Sequence, residues 1–491
     1  MSRPVHTDVL VIWFSYWQLT SRARTRLALL SWFRRLNYGS VKPGLVVRSR
    51  PRSGQIPFTT TQAGTRDYIP TLIESSLTLI WPGGPLRGTA QLPASKSESN
   101  RALILHALAG GGQLTNLSDA NDTQLMRRLL ADPTADVFDA EDAGTVMRFL
   151  TAYLALTDRR ALLTGTARAQ ERPIAVLVDA LRQLGAGIEY EAADGYPPLR
   201  LRGWQPVAAA QAPDEAEPAE LTVRGDISSQ YISALLMVGP LLPGGLRLWL
   251  TGKVGSRPYI RMTMALMQHF GGHCRDLGTI LEARPGRYQP ADYTVEADWS
   301  AASYWYALVA LAPAGSHLTL PGLRRYSWQG DQAIVDIMAR LGVATEFLAD
   351  GVRLTQTVPT AGFTQDFTDC PDLAQTVAVV AAALNVPVLL TGLESLRIKE
   401  TDRILALQTE LANFGAGLRE EEEGLFRVCF ADFRVDGQTV ATYHDHRMAM
   451  AFAPLALRGL LTIEAPAVVR KSYPQFWTEL EKVGLSLLAA D

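Results

Sequence analysis

The sequence predicts an α/β protein built from repeats of one small subdomain, and three observations predict it. From Leu77 onward, strand-like and helix-like stretches alternate. The helical stretches repeatedly finish on an apolar residue followed by glycine, as in Ala180-Leu-Arg-Gln-Leu-Gly185, Met267-Gln-His-Phe-Gly271, Ala339-Arg-Leu-Gly342, Ala412-Asn-Phe-Gly415 and Glu481-Lys-Val-Gly484. A glycine there is a helix stop, able to take the left-handed conformation past the last turn. The stops recur at roughly seventy to eighty-five residues, longer than solenoid periods, so the repeated unit is a small α/β subdomain. Finally, 491 residues are too many for one ordinary core, and two domains are expected.

Taken in order, residues 1–75 differ from the remainder. Arg22, Arg24, Arg26, Arg34, Arg35, Arg48, Arg50 and Arg52 accumulate there with almost no acid. A transit peptide, an added basic arm or a start codon placed too far upstream would each give this composition. The last is preferred, because no strand or helix period runs from the segment into the fold. Next, Leu92-Pro-Ala-Ser-Lys-Ser-Glu-Ser-Asn-Arg101 reads as a strand end, a loop rich in hydroxyls and a helix whose first turn carries Ser97, Ser99, Asn100 and Arg101. Free amides and the positive end of the helix dipole favour an anion there, and Lys96 and Arg101 add two charges. A lone Ser-x-Ser would be ordinary capping. Gly110-Gly-Gly112 is a connector and not a phosphate loop, since no GK[ST] follows. A further unit is expected near Leu125 to Val137, but Arg127-Arg-Leu-Leu-Ala-Asp-Pro133 has no glycine stop, so the first copy is abbreviated.

Asp142-Ala-Gly-Thr-Val-Met-Arg148 opens an apolar helix: Gly144 lets backbone approach a ligand, Thr145 caps, and Arg148 emerges one turn in. Ala169-Gln-Glu-Arg-Pro-Ile174 places Arg172 before a proline at a helix start. Ala208 to Glu220, mostly Ala, Pro and acid without an aromatic residue, reads as a loop or linker. Arg224-Gly-Asp-Ile-Ser-Ser-Gln230 brings two hydroxyls and an amide to a helix N-terminus, and Gly255-Ser-Arg-Pro-Tyr259 parallels it. Such hydroxyls suit a polyol or phosphate oxygens, and by themselves they are also common caps.

The second half sets carboxylates among cations. Asp369-Cys-Pro-Asp372 precedes the helix Leu373 to Leu384, Arg397-Ile-Lys-Glu-Thr-Asp-Arg403 and Tyr443-His-Asp-His-Arg447 each open another, and Arg470-Lys471 follows near the end. Lys399 and Arg403 are spaced i and i+4, so on a helix they would share a face and repel unless an anion lay between them; the alternative is a surface net with Glu400 and Asp402. Glu420 to Glu423 before Gly424 is a solvated hairpin turn. His444 and His446 do not make a metal site, because Arg447 would repel a divalent ion and no Cys or Glu completes a set.

Composition narrows the partners. A formal net charge of −2 argues against a nucleic-acid binder, so any basic cluster must be local. Cys274, Cys370 and Cys429 are widely spaced, which fits a reducing compartment. No apolar stretch of membrane-spanning length lacks polar interruption. A soluble cytoplasmic protein is expected.

Taken together and in this order, the motifs resemble the 5-enolpyruvylshikimate-3-phosphate synthase family of enolpyruvyl transferases from Leu77 to the C-terminus, with KSxSNR at Lys96 to Arg101 the most specific part. The resemblance implies two globular domains, each of three βαβαββ units about a pseudo-threefold axis, an inside-out α/β barrel. The chain would cross near Lys96 and near Ala297. Residues 76–95 and 297–491 would form one domain and 96–296 the other. The chemistry implied is transfer of the carboxyvinyl group of phosphoenolpyruvate to the 5-hydroxyl of 3-phosphoshikimate, with release of phosphate and without metal or organic cofactor.

Carried over by motif, Lys96, Arg172, Arg403, Arg447 and Lys471 would surround phosphoenolpyruvate, with Gly144 and Gln230 against it and Arg148 in support. Lys96, Ser97, Arg101, Ser228, Ser229, Gln230, Ser256, Tyr259, Asp372, Ser395 and Lys399 would hold 3-phosphoshikimate. Asp372 would be the base at the 5-hydroxyl. Glu400, desolvated in a closed cleft, would stay protonated enough to deliver a proton to the methylene carbon. Lys96 and His446 would assist proton movement. A monomer is expected, because two domains closing on each other need a free cleft.

Three residues depart from the family pattern: Asp142 replaces an asparagine, Phe149 a proline, and Ser395 a longer polar residue. The stretch from Leu117 to Asp142 is also short. A carboxylate at 142 beside an anion site is unfavourable unless a cation pairs with it. The nearest rival reading is an enolpyruvyl transferase acting on UDP-N-acetylglucosamine; against it stand Ser228-Ser-Gln230 and Arg101. A non-catalytic anion-binding relative is a further reading, disfavoured by the retention of Asp372 and Glu400.

Overall fold

The structure, a computed structural model, describes residues 75–132, 134–205, 216–226 and 228–490. The basic extension therefore lies outside the described residues apart from Ser75, as does most of the loop expected over 208–220; Ala219 and Glu220 belong to a strand instead.

Five four-stranded sheets share one construction. In the sheet of Val137–Asp139, Arg160–Thr164, Ala186–Tyr190 and Leu199–Trp204, the first two strands run parallel across a helix and the last two return as a hairpin. The spatial order is first, second, fourth, third. Ala219–Arg224, Leu246–Thr251, Cys274–Asp276 and Ile280–Ala283 repeat it, as do Phe363–Asp366, Val388–Thr391, Ala416–Glu422 and Leu425–Phe430. Two sheets complete the same order with a strand from far away in the chain. Arg87–Thr89 pairs parallel with His317–Leu320, beside Val343–Phe347 and Val352–Gln356. Ser76–Ile80 fills the fourth place among Gln438–Val440, Leu461–Glu464 and Ser486–Ala490.

The sixth unit is the abbreviated one. Only the parallel pair of Leu114–Thr115 with Tyr293–Thr294 is present among the described residues, and the antiparallel pair that completes each of the other five sheets is missing from them. Its second helix, Asn121–Ala131, ends at Asp132 with an extended backbone and no glycine. By contrast the five expected glycine stops all lie in the left-handed region, with φ of 91° at Gly185, 81° at Gly271, 86° at Gly342, 75° at Gly415 and 109° at Gly484. Each reverses the chain so that the next strand returns along the helix it follows.

Buried apolar side chains collect in two clusters, one from residues 77–90 and 297–485, the other from 103–288. Helices Trp299–Leu311 and Ala374–Ala383 are buried almost all round. They are apolar on every face for that reason, and no amphipathic period marks them in the sequence.

The two passages between the cores run side by side. Ala94 pairs antiparallel with Ala297, Ser95 N donates to Glu296 O at 2.8 Å, and Asp298 N donates to Pro93 O at 2.9 Å. Two carboxylates lace them reciprocally. Asp298 Oδ2 accepts from Lys96 N at 3.3 Å, while Glu98 Oε1 accepts from Tyr293 Oη at 2.6 Å and Glu296 N at 3.0 Å. The helix after the first passage starts at Lys96 directly, because Ser95 caps it at the amide of Glu98; the hydroxyl-rich loop expected before it is absent.

Glu98 is 1% exposed. Burial pushes its carboxyl up to about 7, although the Tyr293 and Glu296 bonds favour the anion. An acid whose folded value is raised stabilises the fold below its unfolded value, near 4.5, and that contribution is lost as the pH rises to about 7. Glu98→Gln keeps an acceptor and removes the charge. Its unfolding free energy in a urea titration should exceed that of the parent at pH 8, by roughly 1–3 kcal/mol, with the gain shrinking towards zero as the pH is lowered to 4.5. A gain that does not change with pH would place the cost elsewhere.

Candidate active site

A cavity of about 880 Å³ is lined from both cores. Every residue assigned to a ligand or a proton step from the sequence lines it: Lys96, Ser97, Arg101, Gly144, Arg148, Arg172, Ser228, Ser229, Gln230, Ser256, Tyr259, Asp372, Ser395, Lys399, Glu400, Arg403, His446, Arg447 and Lys471. Eleven lysines and arginines face seven carboxylates in this lining, a local positive excess in a chain of net charge −2. Both the volume and the charge suit small, multiply anionic ligands.

On one wall the cations are held by internal carboxylates. Arg403 is 1% exposed and stands at the first position of helix Arg403–Asn413, which Asp402 caps at the amides of Ile404 and Leu405. Its Nε donates to Asp445 Oδ2 at 2.6 Å, Nη2 to Glu400 Oε2 at 2.7 Å, and Nη1 to Asp372 Oδ1 at 3.0 Å. Arg447 Nη2 donates to Asp372 Oδ2 at 2.8 Å, and its Nη1 to Tyr304 Oη at 3.2 Å. Lys399 Nζ lies 3.7 Å from Asp372 Oδ1. Asp372 thus sits among three cations.

The expectation that Lys399 and Arg403 share a helix face is corrected here. The Asp402 cap starts the helix at Arg403, and Lys399 lies outside it with ψ of −146°. The anion between the two cations is the carboxylate of Asp372.

Charges follow from this packing. Burial pushes Asp372 up, but Arg447, Lys399 and Arg403 overcome it and hold the carboxyl well below the usual range. Glu400 follows the same pattern, with burial outweighed by Arg403 and then by Lys471 and Lys96, and it too is held ionised. Desolvation alone is expected to keep Glu400 protonated; the cations reverse that. His446 is pushed down by burial and then by Lys96, so its ring is neutral.

The opposite wall is different. Arg148 Nη1 donates to Gln230 Oε1 at 2.8 Å and its guanidinium lies over the Tyr231 ring at 5.0 Å. Gln230 Nε2 in turn donates to Thr145 Oγ1 at 2.9 Å. Thr145 is therefore no cap: the helix N-cap is Ala143, without a side-chain bond, and the hydroxyl orients Gln230 instead. Burial and the neighbouring Arg148 lower the pKa of Arg172. Among the described residues neither Arg148 nor Arg172 forms an ion pair, so these two cations keep their charge for a ligand. Lys96 pairs with Asp122 at 3.1 Å and Lys471 with Asp142 at 2.6 Å.

Helices Lys96–Ala109, Ser229–Val238 and Arg257–His269 all present their N-terminal turns to the cavity. Their dipoles and hydroxyls add fixed positive potential. Ser256, at the N-cap of the third, is left-handed with φ of 54°. Arg101 is almost entirely buried: Nε donates to Thr263 Oγ1 at 2.7 Å, Nη2 to Ser233 Oγ at 3.1 Å and Nη1 to Ser97 O at 2.8 Å. Its guanidinium lies 5.2 Å from the Phe149 ring and 5.9 Å from the Tyr259 ring. Phe149 therefore packs against Arg101, and the cation's own fold contacts use three of its five donors.

Sequence reasoning missed Asp122, Tyr304 and Asp445. The first lies in an ordinary acidic first turn and the second inside an apolar helix, so neither carries a signal. Asp445 stood in the quoted Tyr443-to-Arg447 motif, where its place between two histidines could have marked it.

Known proteins resemble this chain over most of its length. Residues 127–480 match the family model described as EPSP synthase (3-phosphoshikimate 1-carboxyvinyltransferase). The chain is 48% identical over 411 residues to the 3-phosphoshikimate 1-carboxyvinyltransferase of Bacteroides fragilis strain YCH46, covering 82% of this chain and 96% of the relative. It is 35% identical over 434 residues to the protein of the same name from Methanospirillum hungatei, with the same coverages. Among solved structures, an EPSP synthase from Acinetobacter baumannii superposes with a TM-score of 0.69 at 20% identity, covering 84% of this chain and all of that one. The enolpyruvyl transferase NikO from Streptomyces tendae gives 0.66 at 16% identity, covering 85% and 100%.

A side chain at position 144 would fall on the two unpaired cations. A Cβ there lies 2.6 Å from Arg172 Nη1 and 2.7 Å from Arg148 Nη1, both the ends of flexible side chains. Gly144→Ala should leave the unfolding free energy from a urea titration within about 0.5 kcal/mol of the parent and weaken inorganic phosphate binding, measured by calorimetry, by roughly tenfold. Unchanged phosphate affinity would show that Arg172 and Arg148 do not serve the anion.

Proposed function

The chain belongs to the EPSP synthase (3-phosphoshikimate 1-carboxyvinyltransferase) family, and from that premise we propose how its own residues carry the reaction. The enzyme transfers the enolpyruvyl group of phosphoenolpyruvate to the 5-hydroxyl of 3-phosphoshikimate, in the shikimate pathway, by addition and elimination through a tetrahedral intermediate. One observation carries the assignment of roles: a single ionised carboxylate, Asp372, lies among Arg403, Arg447 and Lys399, with Glu400 on the same arginine.

In this reading phosphoenolpyruvate takes the unpaired Arg172 together with Lys96, Arg403, Arg447 and Lys471, against Gly144 and Gln230, with Arg148 holding Gln230 in place. 3-Phosphoshikimate takes the hydroxyl end, at Ser97, Ser228, Ser229, Ser256, Tyr259 and Ser395, with Lys399 beside Asp372 and Arg101 below. Asp372 accepts the 5-hydroxyl proton as that oxygen bonds to C2 of phosphoenolpyruvate. The ionised state it needs is supplied by its cations. Glu400 delivers a proton to the methylene carbon.

Glu400 must first gain that proton. Phosphoenolpyruvate competes for Arg403, Lys471 and Lys96, the cations that hold Glu400 ionised, so binding raises its proton affinity. In the second half C3 gives a proton back to the now ionised Glu400, the C–O bond to phosphate breaks, phosphate leaves with the proton that Asp372 took up, and the enol ether forms. Neutral His446 beside Glu400, with Lys96, helps the proton move.

We further propose that the two cores close as bodies on the cavity between them, which shields the tetrahedral intermediate from water. Among the described residues no helix is long and apolar enough to cross a membrane, and Cys274, Cys370 and Cys429 are free thiols. A cytoplasmic monomer is the form that fits these features.

Phosphate release should require both phosphoenolpyruvate and 3-phosphoshikimate, with UDP-N-acetylglucosamine inactive as acceptor. Asp372→Ala should lower kcat by about 10²–10⁴. Release with the nucleotide sugar, or full activity in the variant, would overturn the acceptor or the base. Titration calorimetry of phosphoenolpyruvate in two buffers of different ionisation enthalpy should show proton uptake in the parent and less in Glu400→Gln. Equal uptake in both proteins would remove Glu400 as the proton donor.

A further inference from the structure

Lys471 closes the 3₁₀ turn Pro466–Lys471 on the core of 77–90 and 297–485. Asp142 comes from the other side, in the link between strand Val137–Asp139 and helix Gly144–Leu156. Their ion pair is 2.6 Å long, and it joins a cation lining the cavity to a carboxylate that is 54% exposed. The other lysine at this end behaves differently. Lys96 pairs with Asp122, whose side chain is 5% exposed and enclosed with its helix. Asp122 is fixed in place, whereas Asp142 can turn out into water at little cost.

The charge count bears on this contrast. Arg403 is tied to the fully buried Asp445, Arg403 and Arg447 share Asp372, which Lys399 also holds and which is only 19% exposed, and Arg148 and Arg172 carry no carboxylate. Lys471 alone among the cations assigned here to phosphoenolpyruvate is neutralised by a group able to leave.

We infer that Asp142 is an affinity-setting residue for phosphoenolpyruvate: its carboxylate occupies Lys471 in the empty enzyme as a substitute for the substrate anion, and the substrate must displace it to bind. The inference rests on Lys471 being a ligand of phosphoenolpyruvate, and it goes beyond that by naming an internal competitor. It differs from a structural tie in sign. Removing a tie between the cores would weaken binding, while removing a competitor strengthens it. An exposed pair is weak, so the effect is modest.

The test is a double-mutant cycle of Asp142→Asn and Lys471→Met, read as KM for each substrate and kcat. Asp142→Asn should lower KM for phosphoenolpyruvate roughly two- to fivefold, and lower the competitive inhibition constant of inorganic phosphate against phosphoenolpyruvate in parallel. KM for 3-phosphoshikimate and kcat should stay as in the parent, and Asp142→Glu should restore the parental KM. In the Lys471→Met background the effect of Asp142→Asn should vanish.

If Lys471→Met raises KM for phosphoenolpyruvate while Asp142→Asn leaves it unchanged or raises it, Asp142 is only a tie and the inference falls alone. If Lys471→Met does not raise that KM, the assignment of Lys471 falls and takes the inference with it.

Discussion

The arrangement depends on one electrostatic constraint: a cavity meant for two polyanions must be stocked with cations before either arrives. At about 4 Å and an effective dielectric near 20, two like charges repel by about 4 kcal/mol, so a cluster of bare arginines would open the fold. The chain meets this by placing carboxylates between them. Asp372 bridges Arg403, Arg447 and Lys399, and Asp445, fully buried, backs Arg403 from behind. Such buried pairs add little net stability against desolvation. What they secure is geometry, since a guanidinium held by two carboxylates cannot rotate away from the cleft.

The same constraint orders the chemistry. A carboxylate that neutralises a cation in the empty enzyme is kept ionised by it, so Asp372 is ready to accept a proton without further preparation. Glu400 shares Arg403 with it and begins in the same state, although its step is the opposite one. The two roles diverge only when substrate charge enters the cluster. Sequence spacing cannot show this, because the proton affinity of Glu400 is set by Arg403, Lys471 and Lys96, which come from three segments.

What was legible in the sequence follows from range. The glycine stops work through the backbone of one helix end, and all five stand where the spacing placed them. The missing stop after Arg127 likewise marked the unit that lacks the antiparallel pair among the described residues. The site segments could be recognised because each is a short run at a helix start. Features fixed across the chain were not legible. Thr145 looks like a cap until Gln230 arrives from 85 residues away. Lys399 looks helical until the Asp402 cap is seen to start the helix four residues later. Glu98 is an ordinary first-turn acid until the second passage brings Tyr293 and Glu296 to it.

Strand Ser76–Ile80 lies between Leu461–Glu464 and Ser486–Ala490, with Ser76 opposite both Glu464 and Ala490. This strand, the first among the described residues, is therefore among the last to find its partners. During synthesis at about 5–20 residues per second it waits for tens of seconds, while the contiguous core of 103–288 has every residue it needs to form. The nascent chain thus carries an unpaired Leu77 and Leu79, apolar residues destined for full burial, on a strand with no neighbour. Ribosome-associated chaperones that shield such edges have a defined interval in which to act on this protein, bounded by the emergence of residue 80 and of residue 464.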